Sequence, residues 1–254
     1  MSVIIKTKEE IEILREGGRR LAKIMQEVVK KVKPGISTQE LNDYALKLIR
    51  EAGDKPAFLN YKASPRDKPY PASLCTSIND EIVHCIPKKN RILKEGDIIS
   101  LDLGLNHKGL FTDHAVTVPV GKISIKDQKL IDDTKKALEI GIWAARGGGT
   151  VGDIGYEIES FVNNRYGIVR ELAGHGVGKK VHEDPYVPNY GEKGQGQKLI
   201  PGMVIAIEPM LNHGGDDIEA PDNYTIRTAD KTRSAHFEHT ILITPGEAEV
   251  LTKI

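Results

Sequence analysis

LKEGDIISLDL (93–103) and LIPGMVIAIEP (199–209) are written to one pattern, Leu-x-x-Gly-x-apolar-apolar-x-apolar-acid. The acid is Asp102 in the first stretch and Glu208 in the second, 106 residues later. Short apolar runs of this kind read as strands. Upstream, PGISTQELNDYALKLI (34–49) is loosely echoed by GGTVGDIGYEIESFV (148–162), and each follows a longer helical pattern. Two pairs in the same order argue for an internal duplication. The expectation is one α/β domain over 1–254, with pseudo-two-fold halves of about 1–121 and 122–254, paired strands and outer helices.

The helices are read from spacing. Ile11, Leu14, Leu21, Met25, Val28 and Val32 recur mostly at three, four or seven, as do Leu130, Ile131, Thr134, Leu138 and Ile142. Ser37 with Glu40 has capping-box spacing and opens a helix through Leu41, Tyr44, Ala45, Leu48 and Ile49, with Gly53 as its stop.

Strand side chains alternate between faces. Ile99, Leu101, Leu103 and Leu105 share a greasy face that should lie under helices, with Ile98, Ser100, Asp102 and Gly104 opposite. Met203, Ile205 and Ile207 likewise oppose Val204, Ala206 and Glu208. FTDHAVTV (111–118) groups Phe111, Asp113, Ala115 and Thr117, and HFEHTILI (236–243) groups His236, Glu238, Thr240 and Leu242. One buried acid is ordinarily explained by a salt bridge or an edge strand. Four such acids, with no lysine or arginine in the same runs, need a compensating cation, and a divalent metal pair supplies it.

His175 and His182 lie in AGHGVGKKVHEDP, where glycines 174, 176 and 178 allow close backbone approach. His84 lies just ahead of the first repeated strand. His107, His114 and His213 read as structural or surface groups.

Composition narrows the class. The chain has 254 residues, 39% hydrophobic and 28% charged, with 36 Lys+Arg against 36 Asp+Glu. Zero net charge weakens the case for a nucleic-acid or anionic-membrane binder. Cys75 and Cys85 are the only cysteines, so there is no disulfide framework. The start lacks a signal-peptide layout and no apolar run is long enough to span a bilayer, so a cytoplasmic protein is expected; with no exposed repeat or amphipathic tail in the sequence, a monomer is expected.

In chain order, NDEIVHCIP (79–87), SLDLGL (100–105), FTDHAVTV, GHGVGKKVHEDP (174–185), IAIEPM (205–210) and SAHFEHTI (234–241) resemble the type I methionine aminopeptidases. The resemblance spans about 5–250, and the 26 positions from His182 to Glu208 leave no room for the type II insert. It implies the pita-bread fold, a pseudosymmetric α/β domain with a curved antiparallel sheet and outer helices. It also implies two divalent ions, of cobalt, manganese, iron or zinc. Asp102 would chelate one, His175 and Glu208 the other, with Asp113 and Glu238 bridging. By the same resemblance, a metal-activated hydroxide attacks the peptide carbonyl after an initiator methionine whose neighbour is small. Glu208 shuttles the proton, His182 binds the carbonyl oxygen and His84 holds the scissile-nitrogen side. Phe58, Tyr61, Tyr70, Cys75 and Tyr224, with Val181, match the methionine pocket by position. Partners would be nascent chains beginning with Met, with transient ribosome association.

Departures from the family pattern are the extra loop KASPRDK (62–68), Cys85 in place of a usual glycine, Val181 where phenylalanine is frequent and Tyr224 where tryptophan is frequent. Two alternatives share the fold: a proline-directed peptidase of the aminopeptidase P or prolidase kind, which generally carries an extra N-terminal domain, and a non-catalytic binding protein, which typically loses ligands.

Overall fold

The computed structural model describes residues 3–254. The first half of the chain gives α1 (Lys8–Val29), α2 (Thr38–Glu51), β1 (Lys55–Pro56), β2 (Leu74–Ile78), β3 (Glu81–Val83), β4 (Ile98–His107) and β5 (Leu110–Pro119). The second gives α3 (Ile125–Ala144), α4 (Val151–Val162), β6 (Gly167–Ile168), β7 (Gly174–Gly176), β8 (Glu183–Val187) and β9 (Val204–Ile207). Then follow β10 (Met210–Asn212), β11 (Ile218–Glu219), β12 (Ile226–Thr228), β13 (Ser234–His236), β14 (Glu238–Leu242) and β15 (Glu249–Val250).

Each helix begins where its sequence supplies a cap. Thr7 with Glu10, Ser37 with Glu40, and Thr150 with Asp153 form capping boxes, and Ser124 caps α3. α1 ends at Val29, so Val32 lies beyond it, partly buried against the core of the first half.

The main sheet is antiparallel, with central order β4-β5-β14-β9-β7, and β2 pairs with β4. Outward from the β5·β14 seam the first half supplies β5, β4, β2 and the second supplies β14, β9, β7, each set preceded by two helices. We take this palindromic order as support for a duplicated domain.

Greasy strand faces and helices meet as the alternation demands. Ile99, Leu101, Leu103 and Leu105 pack with Leu21, Met25, Val28, Leu41 and Ile49 of α1 and α2. Ile205, Ile207 and Ile241 pack with Leu130, Leu138, Ile154 and Ile158 of α3 and α4. Each such fully buried side chain contributes about 1.5–3 kcal/mol. Truncating Leu101 to alanine would cost about 2–5 kcal/mol. With these faces under helices, the opposite face of the sheet is left to carry polar groups.

One sequence expectation is refined. Residues 236–243 do not form a single strand: the chain breaks at Phe237, β13 pairs with β10 in a small second sheet, and β14 joins the main one.

Candidate metal centre

The strand register lays out the polar face. Cys75 opposes Asp102, Asp102 opposes Ala115, and Ala115 opposes Glu238, so these four form one row across β2, β4, β5 and β14. Directly opposed residues share a face, and so does any residue two positions along. Asp113 therefore joins Asp102 and Glu238. Glu208 follows β9 immediately, on the side of Ala206 and away from the buried Ile205 and Ile207. His175 enters from β7, whose next residue, Gly176, pairs with Ile205.

Crowding explains the glycines around His175. A Cβ on Gly174 would lie 2.2 Å from the Ala206 carbonyl oxygen, and one on Gly176 would lie 2.2 Å from that of Asp184. His175 Nδ1–H donates to the Gly176 carbonyl at 2.9 Å, which turns Nε2 free towards the acids, 3.5 Å from Glu208 Oε1.

Four carboxyls converge here, and among the described residues none forms an ion pair with lysine or arginine. Burial pushes Asp102 up to about 6 and Glu208 up to about 7. Burial, reinforced by the neighbouring carboxylates, raises Asp113 and Glu238 well above the usual range. Asp102 Oδ1 and Glu238 Oε1 are buried without a hydrogen-bond partner. Ligand atoms of Asp113, His175 and Glu238 lie within 4.8 Å of one another, as do those of Glu208, His236 and Glu238. Repelling acids, orphaned oxygens and a free imidazole nitrogen fit divalent cations.

Of the thirteen residues expected from the sequence, all but Val181 line one cavity of about 480 Å³: Asp102, Asp113, His175, Glu208, Glu238, His84, His182, Phe58, Tyr61, Tyr70, Cys75 and Tyr224. Its apolar wall is Phe58, Tyr70 and Cys75, which share a buried cluster with Val181, and Tyr61 and Tyr224 pack against that cluster. Tyr224 is set by a turn in which Asp222 accepts from the backbone N–H groups of Tyr224 and Thr225, and its hydroxyl donates to the Pro69 carbonyl at 3.1 Å.

His84 holds a left-handed backbone conformation, φ 61°, uncommon for a non-glycine residue and characteristic of functional positions. His84 and His182 open onto the cavity, yet the surrounding protein pushes both pKa values down, His182 further through His175 and His84, so both rings are neutral at pH 7. Tyr61, whose phenol burial keeps protonated, hydrogen-bonds His182 Nδ1 at 2.5 Å. With the phenol as donor, the proton of His182 sits on Nε2.

The three histidines expected to be structural do pair within the fold. His107 contacts Asp54 at 2.7 Å, His213 contacts Asp127 at 3.2 Å, and His114 donates to the Glu238 carbonyl and stacks on His239. Sequence reasoning missed Ala220, Asp222, Asn223 and Ile226 in the cavity wall, which sit in a stretch without periodicity. It also passed over His236, although its i, i+2 relation to Glu238 was the signal.

Residues 12–245 match metallopeptidase family M24. The chain belongs to this family. Among M24 relatives, methionine aminopeptidase 1 of Bacillus subtilis is 43% identical over 254 residues, covering 99% of this chain and 100% of its own. The crystal structure of a methionine aminopeptidase from Thermotoga maritima has a TM-score of 0.95 at 39% identity and full coverage of both chains. Prolidase from Pyrococcus furiosus is more distant: TM-score 0.77, 26% identity, 99% of this chain and 66% of its own. The chain thus has the fold that the methionine aminopeptidases and prolidases share, and it is a member of a metal-dependent peptidase family. No helix among the described residues is long and apolar enough to cross a membrane.

Proposed function

We propose that this M24 chain is a type I methionine aminopeptidase, a hydrolase that removes the initiator methionine when the second residue is small. The observation that carries the reading is the adjacency, in one cavity, of an apolar aromatic recess and a cluster of four acids with His175. A thioether side chain suits the recess lined by Phe58, Tyr61, Tyr70, Cys75 and Tyr224.

Asp102, Asp113, His175, Glu208 and Glu238 would hold two divalent ions, of cobalt, manganese, iron or zinc, which supply Lewis acidity towards the scissile carbonyl and the attacking water. Glu208, at the accessible side of the cluster, takes a proton from that water and returns it to the leaving amine. His182, with the Tyr61 hydroxyl as donor to its Nδ1, offers Nε2–H to the carbonyl oxygen as negative charge develops. His84, neutral and held by its backbone conformation, orients the scissile-nitrogen side of the substrate. Substrates would be nascent chains beginning with Met, met in the cytoplasm by a monomer in transient contact with ribosomes.

The test is a set of peptides with and without added divalent metal. A Met-Ala-Ser peptide should lose methionine with metal and keep it after chelation, and a Met-Lys peptide should survive both. Equal activity after chelation, or better cleavage of X-Pro peptides, would overturn the assignment.

A further inference from the structure

His236 stands apart among the histidines of the polar face. Its side chain is almost wholly buried, and neither Nδ1 nor Nε2 has a hydrogen-bond partner. An imidazole so placed forgoes both its polar interactions unless something absent from the protein chain satisfies one. Its backbone, by contrast, is held firmly: the Thr117 hydroxyl donates to the His236 carbonyl at 2.9 Å and accepts from its N–H at 2.8 Å, and Thr117 is itself tied to Ser100 at 2.8 Å. β13 ends on His236 and β14 begins on Glu238, so the chain break at Phe237 delivers two donor side chains to one place.

The distances say what that place is. His236 Nε2 lies 3.5 Å from Glu208 Oε2, and His175 Nε2 lies 3.5 Å from Glu208 Oε1. The Glu208 carboxylate thus has one oxygen towards each ring at the same separation. That separation is long for a hydrogen bond to a carboxylate. It matches the edge of a coordination shell, since bonds of about 2.1 Å at tetrahedral angles set donors roughly 3.4 Å apart. Glu208, His236 and Glu238 also bring ligand atoms within 4.8 Å of one another, the same closeness found for Asp113, His175 and Glu238.

We infer that His236 is a further metal ligand, giving the centre a second imidazole donor beside His175. The inference rests on the proposed metallopeptidase reading and deepens it. Each acid triangle then carries one nitrogen, with Glu238 common to both. A nitrogen donor in place of another oxygen favours cobalt and zinc over manganese, whose preference is for carboxylate and water. Gln at this position could still hydrogen-bond Glu208 but would offer no imidazole, so His236→Gln separates ligation from mere orientation of Glu208.

The experiment is proton NMR of the full chain loaded with Co(II), read at the hyperfine-shifted, exchangeable imidazole N–H resonances, together with competition titrations of Co(II), Zn(II) and Mn(II). The wild-type protein should show one such resonance from His175 and one from His236, and His236→Gln should lose the second. The variant should bind Co(II) and Zn(II) about tenfold or more weaker, the scale of a disturbed ligand shell, with a smaller change for Mn(II). Stoichiometric Co(II) binding with a single imidazole resonance in the wild type would overturn the inference and leave the metallopeptidase reading standing. An unchanged metal preference in His236→Gln would overturn it as well. Failure of the wild type to bind Co(II) at all would sink both.

Discussion

β4 and β5 are ten residues each, joined by the two-residue turn Lys108-Gly109 and paired at every position. Their counterparts β9 and β14 have four and five residues and are joined through the long excursion 208–237, which carries β10 to β13. The acids follow the same division. Asp102 and Asp113 lie inside the long hairpin, where the ladder fixes the backbone on both sides and a short side chain is enough. Glu208 lies just past β9 and Glu238 opens β14, so both reach the cavity from strand ends with one more methylene. The Glu208 side chain is 13% exposed, whereas Glu238 as a residue is 2% and Asp113 4%. One half works as a frame, and the other places the more accessible carboxylate, the one proposed to exchange protons with substrate.

That contrast breaks most visibly by removing one acid from each half. Glu208→Gln should lower kcat by about 10²–10⁴-fold, the range for a lost general acid–base group, while cation binding persists through the framed acids. Asp113→Asn should lose activity and also metal content, because it removes a buried carboxylate facing both Asp102 and Glu208. Elemental analysis beside steady-state kinetics checks both. Equal metal content in the two variants would erase the distinction between frame and shuttle.

The same acids set a pH dependence of stability in metal-free protein. The folded-state values of Asp102 and Glu208, about 6 and about 7, stand above their ordinary values of 3.8 and 4.5. A carboxyl raised on folding contributes its full stability below its unfolded value and loses it as pH climbs through the folded one. The melting temperature of the metal-free protein should therefore fall between about pH 4 and pH 7. Added divalent metal should reverse the loss, by about 2.7 kcal/mol at a hundred times its Kd. Scanning calorimetry at several pH values decides it, and a metal-free melting temperature that rises over this window would contradict the buried-acid account.

The two halves also differ in how openly the sequence states them. Alternation in 98–105 and 111–118 assigned both faces of the long hairpin, because ten-residue strands repeat their period several times. The capping box at Ser37 marked a helix start through local hydrogen bonds that involve only neighbouring residues. The excursion between β9 and β14 was not legible. Its strands have two or three residues, too few to show a period, and its turns depend on side-chain contacts such as Asp222 with Thr225. His236 escaped for the same reason: it was read as a member of one long strand with Glu238, whereas pairing with Met210 holds it in the second sheet. The full ligand set and the pocket came from motif resemblance, since alternation and the missing lysines and arginines pointed to a metal pair but not to the role of each residue around it.

Glycines sharpen the comparison at the small end of the scale. Gly109, at φ 89°, closes the β4–β5 turn in open space, with nothing within 4 Å of where a Cβ would stand. Alanine there meets only backbone strain, so Gly109→Ala should destabilise by about 1 kcal/mol and leave kcat/KM unchanged. Gly174 sits beside His175 with the Ala206 carbonyl against its α-carbon, and alanine must push two backbones apart. Gly174→Ala should cost about 1–3 kcal/mol as overpacking and lower activity too, because the strand it displaces carries His175. Denaturant midpoints and kcat/KM measured on both variants test the pair. If Gly109→Ala reduced activity as much as Gly174→Ala, the hairpin could not be a passive frame, since a change confined to its outer turn would have reached the acids through the rungs of the ladder.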